Sequence, residues 1–300
     1  FAQWMANDCT VCTTLVDTIV PGRIRDASEA AAVAERLGYE DPFLAVREPF
    51  QMWGIQGDES LVEKLPFVKA GLPGVFVTPD VTPYKKRKVR ILNGAHTAFV
   101  PGSWVAGFDI VRDCMHDETV RGFMNTMLYD EVIPTLAADL DVEDCKAFAA
   151  AVENRFDNPF IDHALLSICL NSTAKWRARD LPTLKDYVAE TGNLPKCLAT
   201  SLATLIAFYT QELVAREGDG LHLRRADGAE YTAQDDAFVL DFYAAHAGAD
   251  DAELVHDVLT NEQMWGEDLT QITGLEEFVV NALTVVRVEG AKQAFANAQA

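Results

Sequence analysis

The pattern of apolar and polar positions changes character along the chain. Up to residue 84 it is mixed. A short helical start, FAQWMA, runs into the β-branched stretch TVCTTLVDTIVPG, which ends at the breaker pair Pro21 and Gly22. Residues 23–37 carry alanine and charge at helical spacing, closed by Gly38 in a C-cap position. FLAVREPFQMWGIQG and GVFVTPDVTPY then read as strands or extended segments, rich in Val, Phe and Trp. From Lys85 onward one amphipathic helical pattern follows another. Breakers fall around Pro101 and Gly102, at Pro134, at Asn158 and Pro159, at Pro182, between Gly192 and Pro195, and in REGDG at 216–220. The pattern predicts a mainly α protein: a small α/β part over 1–84, then a large all-helical domain over 85–300. The hydrophilic strip 218–232 is expected to be an exposed hairpin or loop.

Composition narrows the function classes. With 49% hydrophobic and 24% charged residues the chain forms a core and is not disordered. No apolar run approaches the roughly 18–20 residues of a membrane span. A net charge of −21, from 46 acidic against 25 basic residues, argues against nucleic acid and anionic lipid as partners. Six cysteines are too few for a disulfide framework, and Cys114, Cys145, Cys169 and Cys197 fall in apolar helical patterns, as reduced core residues of a cytosolic protein would. Cys9 and Cys12 form a CxxC without a second CxxC or a nearby His, so buried inert thiols are expected there rather than a redox pair or half a zinc site. His116, His163, His222, His246 and His256 lack the paired spacing of a zinc site, and no metal is expected. The chain opens at Phe1 without an initiator methionine, which suggests the remainder of a longer polypeptide.

The stretch YKKRKVRILNGAHTAFVPG, residues 84–102, is the most informative for chemistry. Five of the seven residues from Tyr84 to Arg90 are basic in an otherwise acidic protein. Lys88, Asn93 and His96 follow within one helical run. At roughly 100° per residue, with Lys88 as zero, Asn93 lies near about 140° and His96 near about 80°. Gly94 leaves room for close approach to the backbone. Spacing alone leaves open a polar helix face or a hydrogen-bonded core cluster.

KVRILNGAH, with VDTIVPG at 16–22, EPFQMWGI at 48–55, RFDNPFIDHALLSICLNSTAKWRARDLPTL at 155–184 and MWGEDLTQITGL at 264–275, resembles the polyol-specific long-chain dehydrogenase family typified by mannitol dehydrogenase. The likeness extends over essentially the whole chain. It implies an N-terminal NAD-binding Rossmann domain, a C-terminal helical domain and an active site between them. Residues 1–84 would be the last part of the first domain, and 85–300 the second. The fingerprint GxGxxG is nowhere in the sequence, so the chain alone is expected to bind NAD poorly or not at all and, by itself, to be an inactive helical module.

The resemblance further implies that Lys88 is the catalytic lysine, Asn93 the substrate-polarising asparagine and His96 the substrate-contacting histidine. Asp17 would bind substrate hydroxyls, although the arginine that usually follows it is Thr18 here. Lys175 matches a substrate-binding lysine. The arginine eight positions before it is replaced by Ser167, and the usual Asp-Gly-Ser triplet by Asn171, Ser172 and Thr173. A second asparagine of the oxyanion site has no counterpart. These departures resemble the branch of the family that acts on linear keto-uronates, whose carboxylate would meet Lys175 or, as a weaker candidate, Arg155. Arg155 could equally pair with Asp157 or a helix end, and Trp53 and Trp176 are expected to pack at the domain boundary.

The chemistry needs such groups. Reducing a ketone puts a hydride on carbon and a proton on oxygen. A lysine ammonium can stabilise the developing alkoxide and protonate it. For the reverse reaction its pKa must fall from about 10.4 towards roughly 7–8, which desolvation and the cations Lys85, Lys86, Arg87 and Arg90 favour. Asn93 supplies a neutral amide donor to the same oxygen, and His96 orients a substrate hydroxyl.

Overall fold

The fold is that of a computed structural model describing residues 1–24 and 26–300; Arg25, inside the helical stretch expected over 23–37, lies outside the described residues. The chain divides into two compact units, residues 1–88 and 89–300.

In the first unit, strands β1 (Thr14–Asp17), β2 (Met52–Gln56) and β3 (Val75–Thr78) form one sheet in that order, β1 antiparallel to β2 and β2 parallel to β3. A parallel pair needs a crossover, and the short helices Glu59–Lys64 and Pro66–Lys69 provide it. Helix α1 (Ala27–Leu37) starts where the Asp26 carboxylate accepts from the Glu29 N–H at 2.8 Å, and ends at Gly38, whose φ of 80° suits a residue without Cβ. Alternate burial along β1 turns Leu15 and Asp17 inward. Residues 43–51, read as extended, form no strand; Val46 makes an isolated bridge to Gly22, and the Glu48 N–H donates to the Ile19 carbonyl at 3.1 Å. The unit closes with helix α2 (Thr82–Arg87), which takes the TPY that the sequence pattern assigned to a strand.

The second unit is mainly helical, as expected. It opens with α3 (Gly94–Val105), preceded by the π-helical turn Lys88–Asn93 that begins at the last residue of the first unit. Helix α3 runs through Pro101 and Gly102, where a break was expected. The helix is buried from Gly94 to Trp104, and tertiary packing outweighs the missing N–H of Pro101. Gly102 is what lets it pack so closely. A Cβ there would stand 2.5 Å from the Phe295 ring and 2.9 Å from the Thr204 Cβ.

Later come α4 (Val142–Phe156), α5 (Ser172–Arg179), α6 (Leu181–Thr191) and α7 (Lys196–Tyr209), then α8 (Leu275–Glu289) and α9 (Ala291–Ala298). Helix α7 is the spine of the core: every residue from Cys197 to Tyr209 is buried, and α3, α8 and α9 pack on it. Its hydroxyls are satisfied locally, Ser201 donating to the Leu198 carbonyl at 2.7 Å and Thr204 to that of Ser201 at 3.0 Å. No side chain of its own caps its start. Instead both carboxylate oxygens of buried Glu131 accept the Cys197 and Leu198 N–H groups, at 2.7 and 2.9 Å.

One sheet interrupts the helices that were expected to fill this unit. Strands β4 (Glu212–Glu217), β5 (Gly220–Arg224) and β6 (Glu230–Ala233) form an antiparallel meander. The strip 218–232 is therefore the expected hairpin but not an exposed one. Leu221, Leu223, Tyr231 and Ala233 alternate onto a buried face, and the polar partners between them had masked that period. Cys114, Cys145, Cys169 and Cys197 are buried as anticipated, whereas Cys9 and Cys12 are half-buried in the thin first unit.

Candidate active site

Within the first unit the sheet and the last helix bring two predicted residues to one spot. The Lys88 ammonium donates to the Val16 carbonyl at 3.0 Å, at the end of β1 beside Asp17, which is only 2% exposed. The same corner is pinned by buried Glu48, whose carboxylate accepts the Ile19 N–H at 2.6 Å, and by Thr18, whose hydroxyl donates to the Phe50 carbonyl at 2.8 Å. Thr18 thus serves the backbone at the position where the resemblance implies an arginine.

The π-helical turn is a feature that 100° arithmetic misses. Its i→i+5 hydrogen bonds widen the helix, so residues five apart, the separation of Lys88 and Asn93, are offset by less than in an α-helix. A carbonyl at such a junction needs partners from elsewhere. That of Asn93 accepts from the Thr97 hydroxyl at 2.9 Å and from Arg179 Nη1 at 3.4 Å, and the same Arg179 nitrogen donates to the Thr97 hydroxyl oxygen at 2.9 Å. Gly94 faces buried Asp180; a Cβ there would stand 2.8 Å from its Oδ1. Burial drives the Asp180 carboxyl well above the usual carboxylate range, against the pull of Arg179 and Arg90.

The second unit gathers the other predicted residues around His96. Its imidazole is 7% exposed, stacks on Phe156 at 3.9 Å and meets the edge of the His163 ring at 5.5 Å. Its Nε2 is buried without a hydrogen-bond partner, an omission that costs roughly 1–3 kcal/mol. Burial first, then the neighbouring His163 ring and the cations Arg179, Arg155 and Lys175, hold it well below the ordinary histidine range, so the ring is neutral near pH 7. Lys175 donates to the Ile168 carbonyl at 2.8 Å; burial and then Arg179 lower its pKa. Arg155 is half-buried near the end of α4, and the Asp157 carboxylate that it was weighed against accepts from His116 Nε2 at 2.7 Å. Trp176 is not a boundary residue. It is fully buried, edge-on to Trp265 at 5.5 Å, with its Nε1 donating to the Ser201 hydroxyl at 2.9 Å. Trp53 stacks on Phe67 at 5.2 Å inside the first unit.

Arg179 and His163 were not singled out from the sequence. Arg179 lies one helical turn after Lys175, on the same face of α5, a spacing that could have revealed it. For His163 no sequence signal exists, since it meets His96 only through the fold. Among the described residues no three His, Cys, Asp or Glu side chains come close enough to hold a metal ion, and no helix is long and apolar enough to cross a membrane.

Residues 80–287 match the mannitol dehydrogenase C-terminal domain, and the chain belongs to that family. Among curated proteins it is 41% identical over 302 residues to the altronate oxidoreductase of Yersinia enterocolitica, covering 99% of this chain and 59% of that protein. It is 42% identical over 300 residues to that of Shigella flexneri, covering 98% and 58%. The chain thus spans about three-fifths of the length of these relatives. Among solved structures, the ternary complex of Pseudomonas fluorescens mannitol 2-dehydrogenase with NAD and D-mannitol superposes with a TM-score of 0.77 at 22% identity, over 98% of this chain and 55% of that one. A substrate-free D-sorbitol dehydrogenase gives 0.74 at 20% identity, over 98% and 56%. At such identities the likeness concerns the fold.

Proposed function

We propose that the protein carrying this sequence is a metal-independent, NAD-dependent reductase of D-tagaturonate to D-altronate. The observation that carries the reading is the surround of His96: a buried neutral imidazole with an unpaired Nε2, ringed by Arg155, Lys175, Arg179 and His163, in a chain of net charge −21. The cations Arg155, Lys175 and Arg179 around a buried, unpaired ring nitrogen suit a ligand that has both a carboxylate and hydroxyls. The likeness to altronate oxidoreductases supports the same substrate class.

In this reading Lys88 delivers a proton to the carbonyl oxygen as negative charge builds there, and the Asn93 carboxamide donates to that oxygen. His96 fixes a hydroxyl through Nε2, Asp17 accepts from another hydroxyl, and Lys175, with Arg155 and Arg179, receives the carboxylate. NADH, if held by residues outside this sequence, would supply the hydride. The residues of this chain do not fit the dinucleotide itself. No glycine-rich strand–turn–helix occurs among those described, and Gly57 after β2 is filled by the Leu61 side chain, 2.5 Å from where a Cβ would stand. Dinucleotide binding is therefore assigned to residues outside this sequence, and residues 1–84 to the end of that cofactor domain.

The test is substrate choice. The full-length protein with NADH should turn over D-tagaturonate faster than D-fructuronate or D-fructose. A faster rate with either of the latter would move the assignment to a fructuronate reductase or a mannitol dehydrogenase.

A further inference from the structure

The start of α5 is held by a residue far away in sequence. Its own cap residue, Asn171, makes no side-chain cap bond and sits at φ 52°, the left-handed region that no other described non-glycine residue adopts. Two contacts from the segment after β6 hold it there. The Asn171 N–H donates to the Gln234 carbonyl at 3.0 Å, and the Thr173 N–H donates to Asp235 Oδ2, also at 3.0 Å, across 62 residues. Asp235 is itself fixed. The buried Tyr209 hydroxyl at the end of α7 donates to the same Oδ2, and the Asp236 N–H donates to Oδ1 at 2.8 Å. Tyr209 in turn stacks face to face on Tyr243 at 4.7 Å. The meander β4–β6 therefore ends in a clamp on the helix that carries Lys175 and Arg179.

We infer that Asp235 is a positioning residue, a remote cap that anchors α5 to the core spine and so sets where the Lys175 ammonium stands. The inference rests on the reading of Lys175 as the carboxylate-binding group. Three groups act on the Lys175 ammonium besides burial: Arg179 on its own helix, Cys169 after the helix Leu165–Ile168, and Asp235. Asp235 opposes the lowering by Arg179, so its charge keeps the ammonium protonated to higher pH.

Two variants of the full-length protein separate the cap from the charge. Asp235→Asn keeps an oxygen for Thr173 and Tyr209 but loses the charge. Protection of the Thr173 amide from hydrogen exchange should then persist, while the alkaline rise of KM for tagaturonate moves to lower pH with kcat little changed. Asp235→Ala should lose that protection and raise KM about tenfold, the equivalent of one lost charge-assisted contact. Thr173 protection surviving in Asp235→Ala, or an Asp235→Asn profile that overlays the wild type, would overturn the inference. Lys175→Met is the control on the underlying reading. Should it leave KM unchanged, Lys175 is not the carboxylate group and the positioning role fails with it, whereas the amide exchange still decides whether the cap exists.

Discussion

The two units differ in how they hold their candidate residues. Of the sixteen large apolar side chains exposed among the described residues, twelve belong to residues 1–88, with Phe1 at 94% and Phe43 at 81%; the buried apolar side chains there are Leu15, Ile55, Leu61 and Val81. The second unit has a continuous core along α7. Lys88 and Asp17 are thus positioned by strand ends and main-chain contacts on a thin scaffold, whereas His96, Lys175 and Arg179 are set by well-packed helices. The lesson concerns division of labour: the lysine proposed to transfer the proton stands on the unit with few buried apolar side chains, the proposed anion-receiving cluster on the unit with a continuous core.

Excision gives the sharpest contrast. Residues 89–300 alone should unfold in one cooperative thermal transition, and residues 1–88 alone in none; a cooperative transition from the short piece would erase the distinction. Next in size, Lys88→Ala in the full-length protein should lower turnover by about 10²–10⁴-fold, measured as NADH oxidation with tagaturonate. A near-normal rate would remove Lys88 from the mechanism.

Smaller effects separate the two cores. Phe295, fully buried and stacked on Phe123 at 4.1 Å, should cost about 3–5 kcal/mol as Phe295→Ala, while Leu61→Ala in the first unit should barely shift the main denaturant midpoint. Equal shifts would contradict the comparison. The smallest expected change is a pH effect. Burial raises Glu131 to about 7 from a usual 4.5, against the opposing pull of the two α7 N–H groups. Between those values the folded protein holds a proton that the unfolded chain has released. The stability it contributes is complete below about 4.5 and is lost as pH rises through about 7, at most about 3 kcal/mol. Glu131→Gln, which cannot titrate, should flatten that slope in urea unfolding between pH 4.5 and 7.5. An unchanged slope would mean that the two N–H bonds already keep the carboxylate ionised.

Much of this was legible in the sequence. The mainly helical architecture followed from the 3.6-residue period after Lys85, and buried cysteines from their apolar settings. The π-turn was not legible, because KVRILN has an ordinary helical pattern and only the fold selects i→i+5 bonding. The break expected at Pro101 failed for a related reason: packing of Gly102 against Phe295 and Thr204 outweighs local propensity. The buried face of 218–232 was hidden because Arg224, Arg225 and Asp227 make the strip hydrophilic overall, although Arg225 is itself buried over the Trp104 ring at 4.2 Å. Within the candidate site, residue types could be read, but not that His163 and Arg179 join Arg155 and Lys175 around one imidazole. That convergence depends on helices far apart in sequence.

The central claim is that this cluster receives a carboxylate. Its most direct test compares kcat/KM of the full-length protein for D-tagaturonate and for its uncharged counterpart D-tagatose, in wild type and in Lys175→Met. The acid should be preferred by roughly thirtyfold or more in wild type, since a desolvated charge pair is worth on the order of 2 kcal/mol, and the preference should collapse in the variant. Equal use of both sugars by the wild-type protein, or a preference untouched by Lys175→Met, would contradict the account.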